Sequence, residues 1–272
     1  MVAPLFIFAI GLTFSMSFHR RLEHEGAFNT YSHFFTRYLA ILGLGAAISA
    51  CETAIGENTS GIDWGVLQTI GMSGLATLAV IKLPAVYRWL IGMGILVSYQ
   101  AILDNFLLDL TVHSPHGGLF GSLNWAAMLI LGTALADMFH DEGRGRKVFP
   151  WDSLGILTAG IGLSFLLPVS EHRVTASYVL IGLGISGLVF SLVDLLARYL
   201  WLDIHVLVAC GKNAFALYII HYALIGILFL PGIPTLFTEA PFWLVVTEIS
   251  VMVTGIITIT YWLERKKLSL AF

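Results

Sequence analysis

The sequence predicts an all-α, polytopic transmembrane helical bundle of about nine spans, and three observations carry this prediction. Hydrophobic residues form 57% of the 272-residue chain, charged residues form 11%, and the mean hydropathy is +0.86. Soluble domains carry about 25% charged residues, so a soluble enzyme is excluded, and the basic stripe of a nucleic-acid-binding protein is absent. The apolar runs are continuous rather than alternating, which favours spanning helices over the strands of a barrel.

Each span follows from an apolar run that is long enough to cross a hydrocarbon core of about 30 Å, which takes about 20 residues. The runs are residues 2–18, 38–55, 62–81, 86–107, 118–139, 151–169, 174–197, 205–230 and 241–263. The first run lacks a basic leader and a small-residue cleavage site, so it is predicted to be a true span rather than a signal peptide. The connecting segments are short, and residues 1–272 are therefore predicted to form one membrane domain.

The distribution of basic residues predicts the orientation of the chain. Of the 14 Lys and Arg residues, all but Arg173 fall in loops or span ends on one side of the nine-span arrangement. Cytoplasmic loops are enriched in Lys and Arg, so the C-terminus is predicted in the cytoplasm and the N-terminus outside. We expect the plasma (inner) membrane of a prokaryote as the location. Because Met1 must then be external, we also expect a further helix to be encoded upstream of it.

Several polar residues are predicted at or near the external side of the membrane. Gln68 and Asn124 lie within the third and fifth spans, and His113 and His116 occupy a loop between the fourth and fifth spans. His221 lies in the outer half of the eighth span, roughly 24 Å from its cytoplasmic end. Polar groups at membrane depth are costly and are candidates for function, whereas the alternative is an internal hydrogen bond or a solvated loop.

Four stretches, taken in order, resemble the heparan-α-glucosaminide N-acetyltransferase-like family of membrane acyltransferases. The family's segment Val-Leu-Gln-Arg-Ile-Gly, for example, has a counterpart here in which Thr69 replaces the arginine. The four stretches are Met1-Val-Ala-Pro-Leu-Phe-Ile-Phe-Ala-Ile-Gly11, Gly65-Val-Leu-Gln68-Thr-Ile-Gly71, Gly118-Leu-Phe-Gly121-Ser-Leu-Asn124 and Gly211-Lys-Asn213-Ala-Phe-Ala-Leu-Tyr218-Ile-Ile-His221.

The resemblance implies a helical bundle that takes acetyl-CoA as acyl donor from the cytoplasm and acetylates a sugar amine on the far side, with a histidine as acid/base or acetyl carrier. The candidate catalytic residues are His221, His113 and His116. The candidates for contact with the saccharide or cell-envelope acceptor are Gln68, Asn124, Tyr218 and Asn213. Arg20, Arg21, Arg37 and Arg88 are the candidates for the CoA phosphates, which suit the geometry of arginine.

Two further expectations accompany this hypothesis. The family begins with a helix that carries Asp-x-x-Arg-Gly and is followed by its catalytic histidine, and both would precede Met1. No metal site and no nucleic-acid partner are expected.

The alternative functions are a multi-span permease and a non-catalytic membrane subunit. A permease would be expected to contain interrupted helices at matching positions in two halves. A non-catalytic subunit has no need of His221, Gln68 and Asn124 within spans.

Overall fold

The computed structural model describes residues 2–54, 64–108, 111, 114–140, 145–199, 205–229 and 240–266. This part of the chain is almost entirely helical and contains no strand, as the fold class predicted. Five of its helical stretches are long and apolar enough to cross a membrane: Ala3–Ala54, Ala85–Phe106, Gly118–His140, Ala176–Tyr199 and Phe242–Arg265. The protein is therefore an all-helical integral membrane protein. It divides into two compact units, Met1–Leu195 and Leu196–Phe272.

The first helix, α1, is a hairpin rather than one long rod. It runs Val2–Ala54, but its backbone leaves the helical conformation at Gly26, where φ is +77°. Phe14 stacks on Tyr38 with ring centroids 5.4 Å apart, and Phe18 meets Tyr31 at 5.3 Å, so the two halves lie side by side. A glycine suits this reversal because it adopts positive φ without a Cβ clash.

This hairpin corrects one expectation about the first two spans. Residues 19–37 were predicted to form a loop, whereas both halves of α1 stay helical up to Gly26. The segment was misjudged because its charged residues break the apolar pattern without breaking the helix. They are exposed or half-buried, and Arg21 forms an i,i+4 ion pair with Glu25 at 3.3 Å.

Helix α2, Val66–Val80, packs against the second half of α1 through small residues. A Cβ added at Gly74 would lie 2.1 Å from the ring of Tyr38, and one added at Gly71 would lie 2.9 Å from the backbone nitrogen of Leu42. Small residues at these two positions let the helix backbones approach closely, as is typical of helix pairs in membranes.

Replacing Gly74 by alanine should therefore destabilise the first unit, because the new methyl group has no space against the Tyr38 ring. The expected cost is about 1–3 kcal/mol, the usual cost of overpacking a closely packed core. Equilibrium unfolding in mixed detergent micelles measures it. Gly94→Ala is the matched control, since a Cβ at Gly94 meets nothing within 4 Å. Equal stabilities of the two variants would contradict this account of the packing.

Helix α4 is the centre of the first unit. The chain passes through α3, Ala85–Ile102, a π-helical turn at Leu103–Leu107 and a short 3-10 turn at Pro115–Gly117 before it enters α4, Gly118–His140. Helix α4 contacts α1, α2 and α3 and is the most buried of the candidate spans. Because α3 and α4 run in opposite directions, the residues at the start of α3 lie near the end of α4.

The last two helices of this unit, α5 (Gly145–Ser164) and α6 (Ala176–Tyr199), pair closely along their glycines. A Cβ at Gly184 would lie 2.6 Å from the Leu157 backbone, and one at Gly160 would lie 2.7 Å from the Ile181 nitrogen. Gly160 and Gly184 thus let the two helix backbones pack closely.

The second unit contains α7 (His205–Lys212), α8 (Ala214–Phe229) and α9 (Phe242–Arg265). The predicted eighth span, 205–230, is interrupted at Asn213, whose side-chain amide donates to the Ala209 carbonyl at 3.2 Å. Both α7 and α8 contact α9.

Candidate active site

The end of the first unit where α4 begins brings a histidine and a carboxylate together. Nδ1 of His116 lies 3.3 Å from Oε1 of Glu171, which belongs to the segment between α5 and α6. The His116 side chain is 22% exposed and that of Glu171 is 42% exposed, so both remain open to solvent or substrate. We call this end, with the segment Ser170–Thr175 and the turn Pro115–Gly118, the His116 end.

Two residues of the His116 end have an uncommon backbone conformation. His116 has φ +54° and Val174 has φ +47°. Positive φ is uncommon for any residue with a Cβ, and for a β-branched residue such as valine it is a genuine outlier that costs about 1–3 kcal/mol. Such strain persists only where the surrounding structure holds it, so the contacts that hold these two residues bear on function.

Side chains of α3 and α4 form hydrogen bonds to backbone groups of the two segments that make up the His116 end. Tyr99 donates its hydroxyl to the Arg173 carbonyl at 3.0 Å, Gln100 accepts the Ala176 N–H at 3.1 Å, and Asn124 donates to the Val174 carbonyl at 2.6 Å. The indole N–H of Trp125 donates to the His116 carbonyl at 3.2 Å. The His116–Glu171 contact is thus fixed by hydrogen bonds from two helices.

The surroundings of His116 suit it to accept a proton at neutral pH. Burial lowers the pKa of its imidazole, and the nearby Glu171 carboxylate partly opposes this effect, while His172 adds to the lowering. When Nδ1 carries the proton that faces Glu171, Nε2 keeps its lone pair for an incoming acid. A neutral histidine oriented by a carboxylate is a common general base.

Gln68 lies in a separate buried contact between α1 and α2. Its Nε2 donates to the Ser49 hydroxyl at 3.1 Å, and its Oε1 accepts the Gly65 N–H at 3.0 Å at the start of α2. Gly45 lies directly beneath it, since a Cβ there would be 2.6 Å from Oε1. These contacts give Gln68 a structural role in joining two helices, and its predicted contact with the acceptor stays a prediction.

The opposite end of the first unit, where α4 finishes, contains an ion pair whose arginine is buried. Arg88 of α3 is 1% exposed and pairs with Asp137 of α4. Asp137 also accepts a hydrogen bond from the Ser15 hydroxyl at 2.5 Å, which links α1 to the pair. We call this end the Arg88 end. Asp137 borders a hollow of about 370 Å³ that is lined by Ala85, Asp137, Met138 and His140.

The four arginines predicted for CoA all belong to the Arg88 end, in different states. Arg20 is exposed, Arg21 pairs with Glu25, and Arg37 lies over the Tyr38 ring. Arg88 is the exception, because its guanidinium is occupied by Asp137 and by the Leu83 carbonyl. Its Nη1 has no hydrogen-bond partner among the described residues.

The remaining predicted site residues fall elsewhere. His221, Tyr218 and Asn213 belong to the second unit, where the Tyr218 ring packs against Tyr222 at 5.7 Å. His113 lies outside the described residues. The roles predicted for these four residues stay predictions.

Comparison with known proteins then identifies the family. Residues 1–167 match the model described as heparan-alpha-glucosaminide N-acetyltransferase, catalytic, which is more than half of the chain. The chain belongs to this family. The resemblance seen in the sequence motifs is confirmed, and the protein is a member of a family of membrane acetyltransferases. No curated protein and no solved structure matches the chain.

Sequence reasoning missed two carboxylates that the fold makes prominent. Glu171 lies in Glu171-His-Arg173, the one charged stretch between the sixth and seventh predicted spans, and Asp137 is the first carboxylate at the end of the fifth span. A charged residue at a span boundary is usually solvated, so composition alone did not indicate Glu171 or Asp137 as site residues. The signal that could have found them is the need of Arg88 and of His116 for a carboxylate partner.

Proposed function

We propose that this protein transfers an acetyl group from acetyl-CoA, bound at the Arg88 end, to a saccharide acceptor at the His116 end. The observation that carries the proposal is the His116–Glu171 pair, 3.3 Å apart, in a member of an acetyltransferase family. Proton-coupled permeases also use histidine–carboxylate pairs, so it is the family membership that favours acyl transfer over transport.

The proposed orientation places the Arg88 end in the cytoplasm. Arg20, Arg21, Arg37 and Lys147 cluster toward that end, and cytoplasmic segments are enriched in basic residues. The nine-span arrangement with an external N-terminus follows from the same alternation. In this arrangement the His116 end faces outward, and the pantetheine arm of acetyl-CoA is proposed to extend from phosphates bound at the Arg88 end into the bundle, so that the thioester reaches His116.

The proposed chemistry is a proton-coupled acyl transfer. Nε2 of His116 takes the proton from the acceptor amine or hydroxyl as its nitrogen or oxygen attacks the thioester carbonyl carbon. The new carbon–nitrogen or carbon–oxygen bond forms, the carbon–sulfur bond breaks, and CoA leaves as the thiolate, which the His116 proton neutralises. Glu171 stabilises the imidazolium that exists between these two proton transfers.

The donor site is assigned to the arginines of the Arg88 end that are not buried. Arg20, Arg21 and Arg37 are proposed to bind the CoA phosphates, because guanidinium groups match phosphate oxygens in geometry and charge. Arg88 is already neutralised by Asp137, so its proposed contribution is to hold Asp137, which borders the hollow.

Binding of radiolabelled acetyl-CoA to the purified protein in detergent tests the proposed donor. We expect saturable binding that unlabelled CoA competes away. Absence of binding at millimolar acetyl-CoA would favour the permease or the non-catalytic subunit.

A further inference from the structure

The segment Ser170–Thr175, which carries Glu171, is tied to the helices at consecutive backbone groups. Tyr99 binds the Arg173 carbonyl, and Asn124 binds the Val174 carbonyl with the shortest of these contacts, 2.6 Å. Asn124 is fully buried, and its Oδ1 has no hydrogen-bond partner among the described residues. A buried amide oxygen without a partner costs free energy, and the hydrogen bond to the Val174 carbonyl is the one that this side chain makes within the described residues.

Val174, whose carbonyl accepts the hydrogen bond from Asn124, is held at positive φ. A β-branched residue such as valine is strained in this conformation. The Val174 side chain is fully buried, and it packs where a Cβ on Gly117 would lie 2.9 Å from its Cγ2. The two loops therefore interlock, with Val174 against the residue that follows His116.

The turn that carries His116 is held on the same face of α4. A Cβ at Gly121 would lie 2.6 Å from the His116 carbonyl oxygen, so only glycine lets the turn sit this close to the helix. Trp125, one residue after Asn124, donates to that same carbonyl. Adjacent residues of α4 thus fix the two loops that bring Glu171 and His116 together.

We infer that Asn124 is a positioning residue, which holds Glu171 against His116 through the Val174 carbonyl. This role rests on the proposed function only for its consequence in catalysis, since the positioning itself is a property of the fold. It differs from the contact with substrate predicted for Asn124 from the sequence, because the side chain is fully buried and donates one of its amide hydrogens to Val174.

The test measures the titration of His116 directly. Histidines labelled with ¹³C at Cε1 are followed by NMR in detergent as a function of pH, and the His116 resonance is assigned by its loss in His116→Gln. The charged and titratable groups that face His116 are Glu171 and His172, and the Trp125 ring lies edge-on at 6.3 Å. Glu171→Gln, which keeps the shape but removes the charge, should lower the titration midpoint by roughly half to one pH unit.

Asn124→Leu, which keeps a branched side chain but removes the amide donor, should lower the midpoint in the same direction, because Glu171 is then no longer held. In the double variant with Glu171→Gln, the two shifts should be less than additive, since both act through one contact. Asn105→Ala is the matched control, because Asn105 is an exposed residue whose amide bonds only to the Ala101 carbonyl. It should leave the midpoint unchanged.

A His116 midpoint in Asn124→Leu equal to that of the wild type would overturn the inference, whether or not the protein transfers acetyl groups. If Asn124→Leu does not fold, Asn124→Ala, which removes the same donor without adding volume, takes its place, and an unchanged midpoint there overturns the inference equally. Shifted midpoints in a protein that shows no acetyl transfer would support the positioning and contradict the proposed function.

Discussion

Replacing His116 by alanine should lower acetyl transfer by about 10²–10⁴-fold, the usual contribution of a positioned general base. The loss should appear in kcat, with the affinity for acetyl-CoA unchanged, because the donor is proposed to bind at the opposite end of the unit. Acetylated product is quantified by mass spectrometry with glucosamine as acceptor probe. Protein folding is checked by the thermal unfolding midpoint of the same preparation.

His221→Ala is the informative comparison for this prediction. His221 is the other candidate catalytic histidine, and it belongs to the second unit. If His221→Ala abolishes transfer while His116→Ala retains it, the general base is His221 and the role given to His116 is wrong. His24→Ala, an exposed histidine on the α1 hairpin, should leave the rate unchanged.

Replacing Asp137 by leucine should lower the free energy of unfolding by about 3–5 kcal/mol. The change leaves the Arg88 guanidinium buried without its counter-ion, and an uncompensated buried charge is strongly destabilising. Arg88→Met should cost less, because the Asp137 side chain is 34% exposed and can be hydrated. The double variant Arg88→Met, Asp137→Leu should recover much of the loss, since apolar side chains often replace a buried ion pair well.

Equilibrium unfolding in mixed micelles distinguishes this from a general effect of removing charges. Arg21→Met, which breaks the exposed pair with Glu25, is the matched control and should change stability by less than about 1 kcal/mol. A loss for Asp137→Leu no larger than that of the control would show that the ion pair does not stabilise the first unit.

Composition and hydropathy were sufficient to predict the fold class, because a long apolar segment that crosses a membrane must satisfy its own backbone hydrogen bonds and therefore forms a helix. They were insufficient for the α1 hairpin. Its polar segment, residues 19–37, is helical although it is not apolar, and only the break at Gly26 separates its halves. Hydropathy reports whether a segment prefers the membrane interior. It does not report whether the segment is helical, because a helix requires only continuous backbone hydrogen bonds.

The candidate site shows a similar division between what sequence and fold reveal. The cost of a polar residue at membrane depth singled out Asn124 and Gln68, and both do make buried hydrogen bonds. Their partners were beyond sequence reasoning, because Val174 and Ser49 contribute a backbone carbonyl and a hydroxyl that composition does not mark. Glu171 lies 55 positions from His116 along the chain, so only the packing of α4 against its neighbours brings the two together.

The central claim is that acetyl groups pass from acetyl-CoA at the Arg88 end to an acceptor at the His116 end. It is tested most directly in sealed proteoliposomes that hold acetyl-CoA on one side and glucosamine on the other. Orientation is read with an impermeant thiol reagent on Ser114→Cys and Lys147→Cys, each in a variant whose Cys51 and Cys210 are serine. Lys147 is a suitable probe because it is exposed at the start of α5.

We expect the two cysteines to react from opposite sides, and acetylated glucosamine to form only when acetyl-CoA is on the Lys147 side and the acceptor on the Ser114 side. The His116→Ala protein, reconstituted in the same way, should form little product. Reaction of both cysteines from one side, or no product in either arrangement of a correctly oriented wild-type protein, would contradict the account.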